Sequence, residues 1–364
     1  MKTIQGGTLQ TLVHLLLFVI LGGWLLKVGQ DLLIPIISAL ISVYILVAAA
    51  DRLGRLPVFR AWPEWLRRLL VLLLFLAAAA LLVAIVIATG EQMVAAAPRY
   101  QANLETLLAE VSTRLGLESK ADWHSVRAAT VDKIDLQALL GSVLGSVGSL
   151  LGLATMIAIY AAFLLGERGG FAHKLAVAFP GGSAAHTRRV IADVNQKIGT
   201  YLATKTLINI ILGVLSWAVL WWFDVDFAVF WALVIALLNY IPYVGSFLGV
   251  VFPAVLSLAQ FGSLATTIWL TIWLSAAQFV VGNIIEPRMI GKQVNLSPFV
   301  VMVALSLWST LWGIPGAILA IPLTSMIAII CAVSPATRPV AVMLADDVSG
   351  FADEHPASAT DAAA

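Results

Sequence analysis

The sequence predicts an all-α fold, that of a polytopic integral membrane protein whose helices include segments broken by Pro and Gly. Two observations support this prediction. Of the 364 residues, 61% are hydrophobic and 11% are charged, and the mean hydropathy is +0.98, which excludes an ordinary soluble fold. Apolar runs of about 20 residues, the length that crosses the hydrocarbon core as a helix, also recur along the chain.

Five such runs precede the first broken segment, and they cover residues 8–28, 32–50, 69–89, 140–165 and 206–223. The first run has no small-residue cleavage site, so we expect a retained helix rather than a cleaved signal peptide. Two longer stretches without charged residues follow, 227–285 and 293–337. Each is long enough for several helices.

The positions of the cationic residues predict the orientation. Most of the 21 Lys and Arg residues lie near the termini or in three loops, which are residues 51–68, 167–205 and 286–292. Because cytoplasmic loops retain cationic residues, this distribution predicts that both termini are cytoplasmic.

We predict four parts along the chain. Residues 1–90 contain the first three transmembrane helices, and 91–139 form an extramembrane insertion on the outer face. Residues 140–337 hold the remaining membrane helices, and 338–364 form a disordered cytoplasmic tail. Leucines at helical spacing in the insertion predict an amphipathic helix that packs on a partner surface, with a plain connection between two membrane helices as the alternative.

Four glycines in one predicted helix recur at spacings of four, three and four residues: Gly141, Gly145, Gly148 and Gly152. Glycines on one face let a second helix backbone approach closely, which favours helix association in lipid. The predicted interface lies within one subunit or between subunits.

The stretch Asn239 to Pro253 interrupts an apolar run. Pro242 removes a backbone donor and Gly245 weakens the helix, so a turn is predicted at residues 240–245. Irregular backbone at membrane depth persists only where protein or a water-filled cavity surrounds it. We therefore predict a re-entrant hairpin over residues 227–260 rather than two standard spans.

A second interruption repeats the pattern with Pro315 and Gly316, and it predicts a second hairpin over residues 299–333. The two hairpins enter the membrane from opposite faces in the predicted topology, which places their tips near one another at the midplane. Broken helices in corresponding positions of two halves are typical of transport sites.

Polar residues lie between the two broken segments. At 100° per residue, Gln278, Asn283 and Glu286 can share one polar arc of a helix. The alternative for Glu286 is an ion pair at the helix end with Arg288 or Lys292.

Asn239 has an alternative of its own, which is to cap the backbone groups freed by Pro242. Asn209 and residues 195–205 are predicted to form an interfacial approach to the fifth helix.

Three motifs resemble one known family when they occur in this order: N-x-I-P-x-x-G-x-x-x-G at 239–249, E-P-x-x-I-G-x-x-V-x-L-x-P at 286–298 and G-x-x-G-x-x-L-A-x-P at 313–322. The chain resembles the autoinducer-2 exporter family of predicted permeases, most clearly over residues 190–335. The resemblance implies a homo-oligomeric, multi-pass transporter of the bacterial inner membrane with about eight transmembrane helices. Members are linked to export of autoinducer-2 or other small solutes, and some to sodium/proton exchange.

The leading function hypothesis is a secondary transporter or facilitator that exports a small polar solute between the two hairpins. Its predicted path residues are Asn239, Pro242, Gly245, Gln278, Asn283, Glu286, Pro315 and Gly316. The expected partners are membrane lipid, a small-molecule or ion substrate and further copies of the chain. A sodium/proton antiporter is one alternative, and a membrane scaffold or regulator without transport is another.

Other classes of function lack the residues that they need. The sequence has no phosphate-binding GxxxxGK[ST] loop, no metal-ligand spacing and a single cysteine, Cys331, so we expect no cofactor and no metal site. Ser246 has no nearby histidine in the sequence to activate it, so no catalytic residue is predicted. A nucleic-acid partner is not expected, because no basic tract with aromatic residues is present.

Overall fold

The computed structural model describes residues 6–114, 152–167, 174, 182–291, 294–334 and 336–352. Every regular element in these ranges is helical, which confirms the all-α prediction. Six helices in the described ranges are long and apolar enough to cross a membrane, and three shorter helices are also apolar. The prediction of a polytopic membrane protein is therefore confirmed.

The helices are numbered in chain order: α1 (Gly6–Val28), α2 (Gln30–Leu53), α3 (Glu64–Arg114), α4 (Gly152–Glu167), α5 (Gly182–Trp222), α6 (Ala228–Leu238), α7 (Val244–Phe261), α8 (Leu264–Val280), α9 (Glu286–Ile290), α10 (Pro298–Val333), α11 (Arg338–Leu344) and α12 (Ser349–Ala352). A π-helical turn, Val281–Ile285, joins α8 to α9.

The chain divides into two compact units. Unit 1 comprises Met1–Ile45, Ile159–Thr200 and Lys292–Ala364, and unit 2 comprises Leu46–Ala158 and Tyr201–Gly291. The first predicted hairpin lies in unit 2 and the second in unit 1.

Helix α3 is longer than the predicted third span. Its 51 residues extend about 76 Å at the usual rise per residue, more than twice the hydrocarbon thickness of about 30 Å. The helix continues through Pro98 into the predicted insertion, because one missing hydrogen bond weakens a helix without ending it. The amphipathic helix predicted in the insertion is, as far as Arg114, the continuation of α3. Residues 115–139 lie outside the described part of the chain.

The core of unit 2 forms around one apolar face of α5. Ile208, Leu212 and Leu220 are fully buried on this face, since residues four apart lie on the same side of a helix. They pack with buried side chains of α6, α8 and the π-helical turn: Ala232, Ile235, Leu270, Leu274 and Val281. The core thus fixes α5 against the first hairpin and α8.

The first hairpin consists of α6 and α7 with a short turn at residues 239–243. Helix α6 has only 11 residues, or about 16 Å, which is too short to cross the hydrocarbon core. The turn is tight, because a Cβ atom on Gly245 would overlap the carbonyl oxygen of Leu238. The structure therefore shows a break where the sequence predicts one.

The second hairpin is formed within α10. Gly313 has φ 62° and ψ −140°, a backbone conformation that only glycine adopts easily, and it separates two helical arms. The indole nitrogen of Trp308 donates a hydrogen bond of 3.1 Å to the hydroxyl of Thr324. Residues 16 apart would be separated by about 24 Å along one straight helix, so the arms must be antiparallel.

The break in α10 lies at Gly313 rather than at Pro315 and Gly316, which corrects the predicted position. Pro315 is in the first turn of the second arm, where a missing N–H costs no helical hydrogen bond. Gly316 is needed for a different reason, since a Cβ atom there would overlap the carbonyl oxygen of Trp308.

The tip of the second hairpin contacts the end of α1. The Lys27 ammonium group donates to the carbonyl oxygen of Leu311 over 2.8 Å, and the Trp312 indole donates to the carbonyl oxygen of Leu26 over 2.9 Å. Both contacts lie in the last turn of α1. The location of the tip at the midplane stays a prediction. The cationic side chain also stabilises the carbonyl end of the first arm.

Part of the predicted tail is ordered. The Ser297 amide donates to the Leu344 carbonyl over 3.0 Å, and the side chain of Asn295 accepts hydrogen bonds from the amides of Asp346 and Asp347. These contacts hold α11 beside the start of α10. The predicted disorder is therefore not found over residues 338–352. Residues 353–364 lie outside the described ranges.

The Gly245→Ala variant tests the tight first turn. We expect it to lower stability by about 1–3 kcal/mol, because the added methyl group overlaps backbone that cannot move freely. The control is Gly90→Ala on α3, where nothing described lies within 4 Å of the added atom. Thermal unfolding in detergent measures both, and equal melting temperatures for the two variants would contradict the assigned turn geometry.

Candidate transport site

The tip of the first hairpin lies beside the middle of α5. The Asn239 amide donates to the side-chain oxygen of Asn209 over 2.8 Å, and this pair is buried. One turn earlier, the hydroxyl groups of Thr206 and Tyr240 share a hydrogen bond of 2.7 Å. Since the apolar span of α5 is Val194–Trp222, these contacts lie close to its centre.

Two amide nitrogens near this tip have no partner. Asn209 Nδ2 and Gln278 Nε2 are buried and make no hydrogen bond within the described ranges. Gly249 leaves the space that the Gln278 amide occupies, because a Cβ atom on this glycine would lie 3.0 Å from Gln278 Nε2. Buried polar groups are usually paired, so two unpaired donors indicate a place for a water molecule or a ligand.

An ion pair between a buried lysine and a half-buried glutamate lies one helical turn from Asn209. Lys205 Nζ is 2.6 Å from Glu286 Oε1, and Lys205 is only 4% exposed. The sequence offered Arg288 or Lys292 as partners for Glu286. The observed partner, Lys205, is 81 residues earlier in the chain, at the end of the loop 167–205 that the cationic residues predict to be cytoplasmic. In the structure it lies inside α5, within the candidate span Val194–Trp222. Arg288 is exposed, and Lys292 lies outside the described residues.

The π-helical turn changes the register between Gln278 and Glu286. Asn283 is in this turn, is exposed, and donates to the carbonyl oxygen of Phe279 over 3.1 Å. The predicted polar arc assumed 100° per residue, and that spacing does not hold where the backbone bonds i to i+5. The structure pairs Glu286 with Lys205 of α5 and places the Gln278 amide beside Gly249 of α7, but it leaves Asn283 bonded to its own helix.

The other predicted site residues lie in the two hairpins. Pro242 is half-buried in the turn of the first hairpin, and Gly245 is buried at the start of α7. Pro315 and Gly316 belong to unit 1, in the second arm of α10.

Of the four glycines predicted for helix packing, only Gly152 lies in the described ranges. Nothing described is within 4 Å of its Cβ position. The packing face therefore stays a prediction, and Gly141, Gly145 and Gly148 lie outside the described residues.

The sequence predicts only an interfacial approach for Asn209 and residues 195–205, so it does not bring Lys205, Thr206 and Asn209 to this site. A usable signal was the spacing of Lys205 and Asn209, which places two polar side chains on one face of an otherwise apolar helix. Polar and charged residues within membrane spans are costly and usually functional.

The arrangement combines paired charges with free hydrogen-bond donors. The ion pair can respond to a proton or an ion, and the two amides can bind an oxygen-containing solute. No group of three or more metal-binding side chains occurs among the described residues.

Comparisons with known proteins identify the family of the chain. A family model described as AI-2E family transporter matches residues 13–335. The chain is 30% identical to the AI-2 transport protein TqsA of Escherichia coli K12 over 67% of this chain and 68% of that protein.

Two further relatives carry the name "Putative transport protein". The Haemophilus influenzae protein is 26% identical over 90% of this chain and 93% of its own length. The Borreliella burgdorferi protein is 31% identical, and the match covers 64% of this chain and 63% of that relative, less than two thirds of either.

An all-helical, multi-pass membrane protein with a polar cluster at a broken helix has the architecture of a membrane transporter. The family match defines the group more narrowly. This chain belongs to the AI-2E transporter family, because the family model covers most of its length. The resemblance seen in the sequence motifs is thereby confirmed.

A double-mutant cycle on Lys205 and Glu286 tests this ion pair. Glu286→Gln leaves a buried ammonium group without its partner, so we expect a loss of about 3–5 kcal/mol in stability. Lys205→Met combined with Glu286→Gln should recover most of this loss, because no buried charge remains. Thermal unfolding of the single and double variants gives the coupling energy, and additive losses would rule out the pair.

Proposed function

We propose that the chain is a secondary transporter or facilitator that exports a small polar solute, similar to autoinducer-2, across the bacterial inner membrane. The observation that carries the proposal is the pair of unpartnered amide donors, Asn209 Nδ2 and Gln278 Nε2, beside a broken helix at mid-span. The name of the Escherichia coli relative, an AI-2 transport protein, supports this solute class.

The irregular backbone at the tip supports the same proposal. Irregular backbone at membrane depth persists where protein or water surrounds it. The amides of Asn239, Tyr240 and Ile241 donate to carbonyl oxygens of α6. The polar side chains of Asn239 and Tyr240 pair with Asn209 and Thr206 of α5. Re-entry of the first hairpin into the membrane from the outer face is part of the proposal, as is the cytoplasmic location of both termini.

The Lys205–Glu286 pair favours coupling to an ion gradient. A carboxylate and an ammonium group in contact can exchange their mutual bond for a bound proton or cation. A sodium/proton antiporter is the second candidate. Ion exchange would need only the Lys205–Glu286 pair and no solute-binding amides. The proposed activity is transport without catalysis, carried out by a homo-oligomer.

The Gln278→Leu variant tests the solute site. Because the Gln278 amide nitrogen makes no hydrogen bond to the described protein, its loss should leave stability nearly unchanged. Loss of a hydrogen bond to the solute should reduce efflux roughly tenfold. Efflux of autoinducer-2 from loaded proteoliposomes is the measurement.

The matched control is Gln10→Leu, since Gln10 is an exposed glutamine on α1 that belongs to neither hairpin. Unchanged efflux in a well-folded Gln278→Leu protein would remove this residue from the path. Sodium/proton exchange without any solute flux in the unaltered protein would favour the antiporter. Absence of both fluxes would leave the scaffold as the better explanation.

A further inference from the structure

A group of polar residues lies at the base of the first hairpin, at the end of α7 away from the tip. The backbone amide of Asp226 donates to the side-chain oxygen of Gln260 over 2.8 Å. The Gln260 amide donates in turn to the carbonyl oxygen of Asp224, also over 2.8 Å. These two bonds hold the chain before α6 against the last turn of α7.

Helix α3 binds to the same place through one of its faces. The Arg99 guanidinium and the Tyr100 hydroxyl both donate to the Asp226 carboxylate, the latter over 2.7 Å. The Asn103 amide donates to the carbonyl oxygen of Gln260. We call these five residues, Arg99, Tyr100, Asn103, Asp226 and Gln260, the base cluster.

The loops at the base cluster have unusual backbone conformations. Asp224 and Phe227 have φ values of 53° and 60°, which non-glycine residues rarely adopt. Gly262 has φ 58°, and its Cβ position lies 3.0 Å from the Asn103 carbonyl oxygen, so a side chain there would push α3 away. Such conformations persist where the surrounding contacts fix them. The loop before α6 and the loop after α7 therefore have backbone conformations that fit against α3.

A weak point of α3 comes directly before the base cluster. Pro98 has no N–H, so the helix lacks one backbone hydrogen bond there, and Pro is the usual cause of a helix bend. A change of bend at Pro98 would turn residues 99–114 relative to the apolar part of α3. Among the described contacts, those of the base cluster hold residues 99–114 against the first hairpin.

We propose that Asp226 is a positioning residue for the first hairpin. By joining Arg99 and Tyr100 to the loop before α6, it couples the orientation of residues 99–114 to the order of the hairpin tip. The Arg99 side chain is 56% exposed and that of Asp226 is 27% exposed, so water and salt can reach the pair and the coupling can be changed from outside the helix bundle. The link to transport rests on the proposed function, but the link between base and tip does not.

Hydrogen–deuterium exchange of the purified, detergent-solubilised full chain tests this coupling. Asp226→Asn removes the charge attraction to Arg99 and keeps an oxygen that can accept from Tyr100. We expect exchange of the backbone amides in residues 239–249 to become about fivefold faster, the effect of losing one partly exposed ion pair. The matched control is Glu64→Gln, which breaks the Glu64–Arg68 pair at the other end of α3. It should leave exchange at the tip unchanged.

Reversal of the two charges provides the rescue. Arg99→Asp combined with Asp226→Arg should return exchange at residues 239–249 to within about twofold of the unaltered protein, because the attraction is restored. If Asp226→Asn does not yield folded protein, Tyr100→Phe removes a single hydrogen bond from the carboxylate and should give a smaller increase at the tip.

A merely local role for Asp226 predicts a different result. Exchange would then rise only in residues 223–228 and 259–264, with no change at the tip, and that outcome overturns the proposal. Because exchange is measured without a solute, a failed efflux assay with normal coupling counts against the proposed function alone. Faster tip exchange in Asp226→Asn together with altered efflux would support both.

Discussion

A helix that is interrupted inside a bilayer is stable only when the protein pairs the polar groups that the interruption exposes. At the first hairpin the backbone amides of Asn239, Tyr240 and Ile241 donate to carbonyl oxygens of α6, and the Asn239 side chain is paired by a buried hydrogen bond to Asn209. This side-chain bond is a tertiary contact of the turn. It joins the end of α6 to the middle of α5, and the apolar residues of the unit 2 core pack around the same face of α5. Tyr240 and Lys205 lie on or beside the two elements that this contact joins. Gln278 and Glu286 are on α8 and α9, whose apolar residues pack in the same core.

Glycines allow the two arms of each hairpin to pack closely, and the structural reason differs between positions. Gly245 and Gly316 sit where a carbonyl oxygen of the preceding arm leaves no room for a side chain. Gly313 supplies a backbone conformation that other residues avoid. The same requirement therefore recurs in both units, in agreement with the faint sequence similarity of the two broken segments. Transport by a path that uses both hairpins stays a prediction.

Much of the fold could be predicted from the sequence, since apolar runs and Pro or Gly interruptions have a direct physical meaning in a membrane. The position of the second break could not, because Pro315 is an obvious helix breaker that fits the first turn of a new arm. The partner of Glu286 could not be predicted either, because it depends on the packing of α5 against residues 81 positions later. The π-helical turn changes the register of Asn283 without a clear local signal. Asn239, Gln278 and Glu286 were identified from the sequence because each is polar in an apolar setting.

The central claim is that the tip of the first hairpin borders water at mid-depth of the membrane. Single cysteines placed through residues 239–249 in a Cys331→Ser background, and treated with a membrane-impermeant maleimide from each side, test it most directly. If the tip borders water, residues 240–243 react from at least one side, whereas a cysteine at Val255, an exposed apolar position of α7 that we expect to face lipid, does not. Complete protection of residues 240–243 from both sides would contradict it and would leave the tip as a dry packing contact.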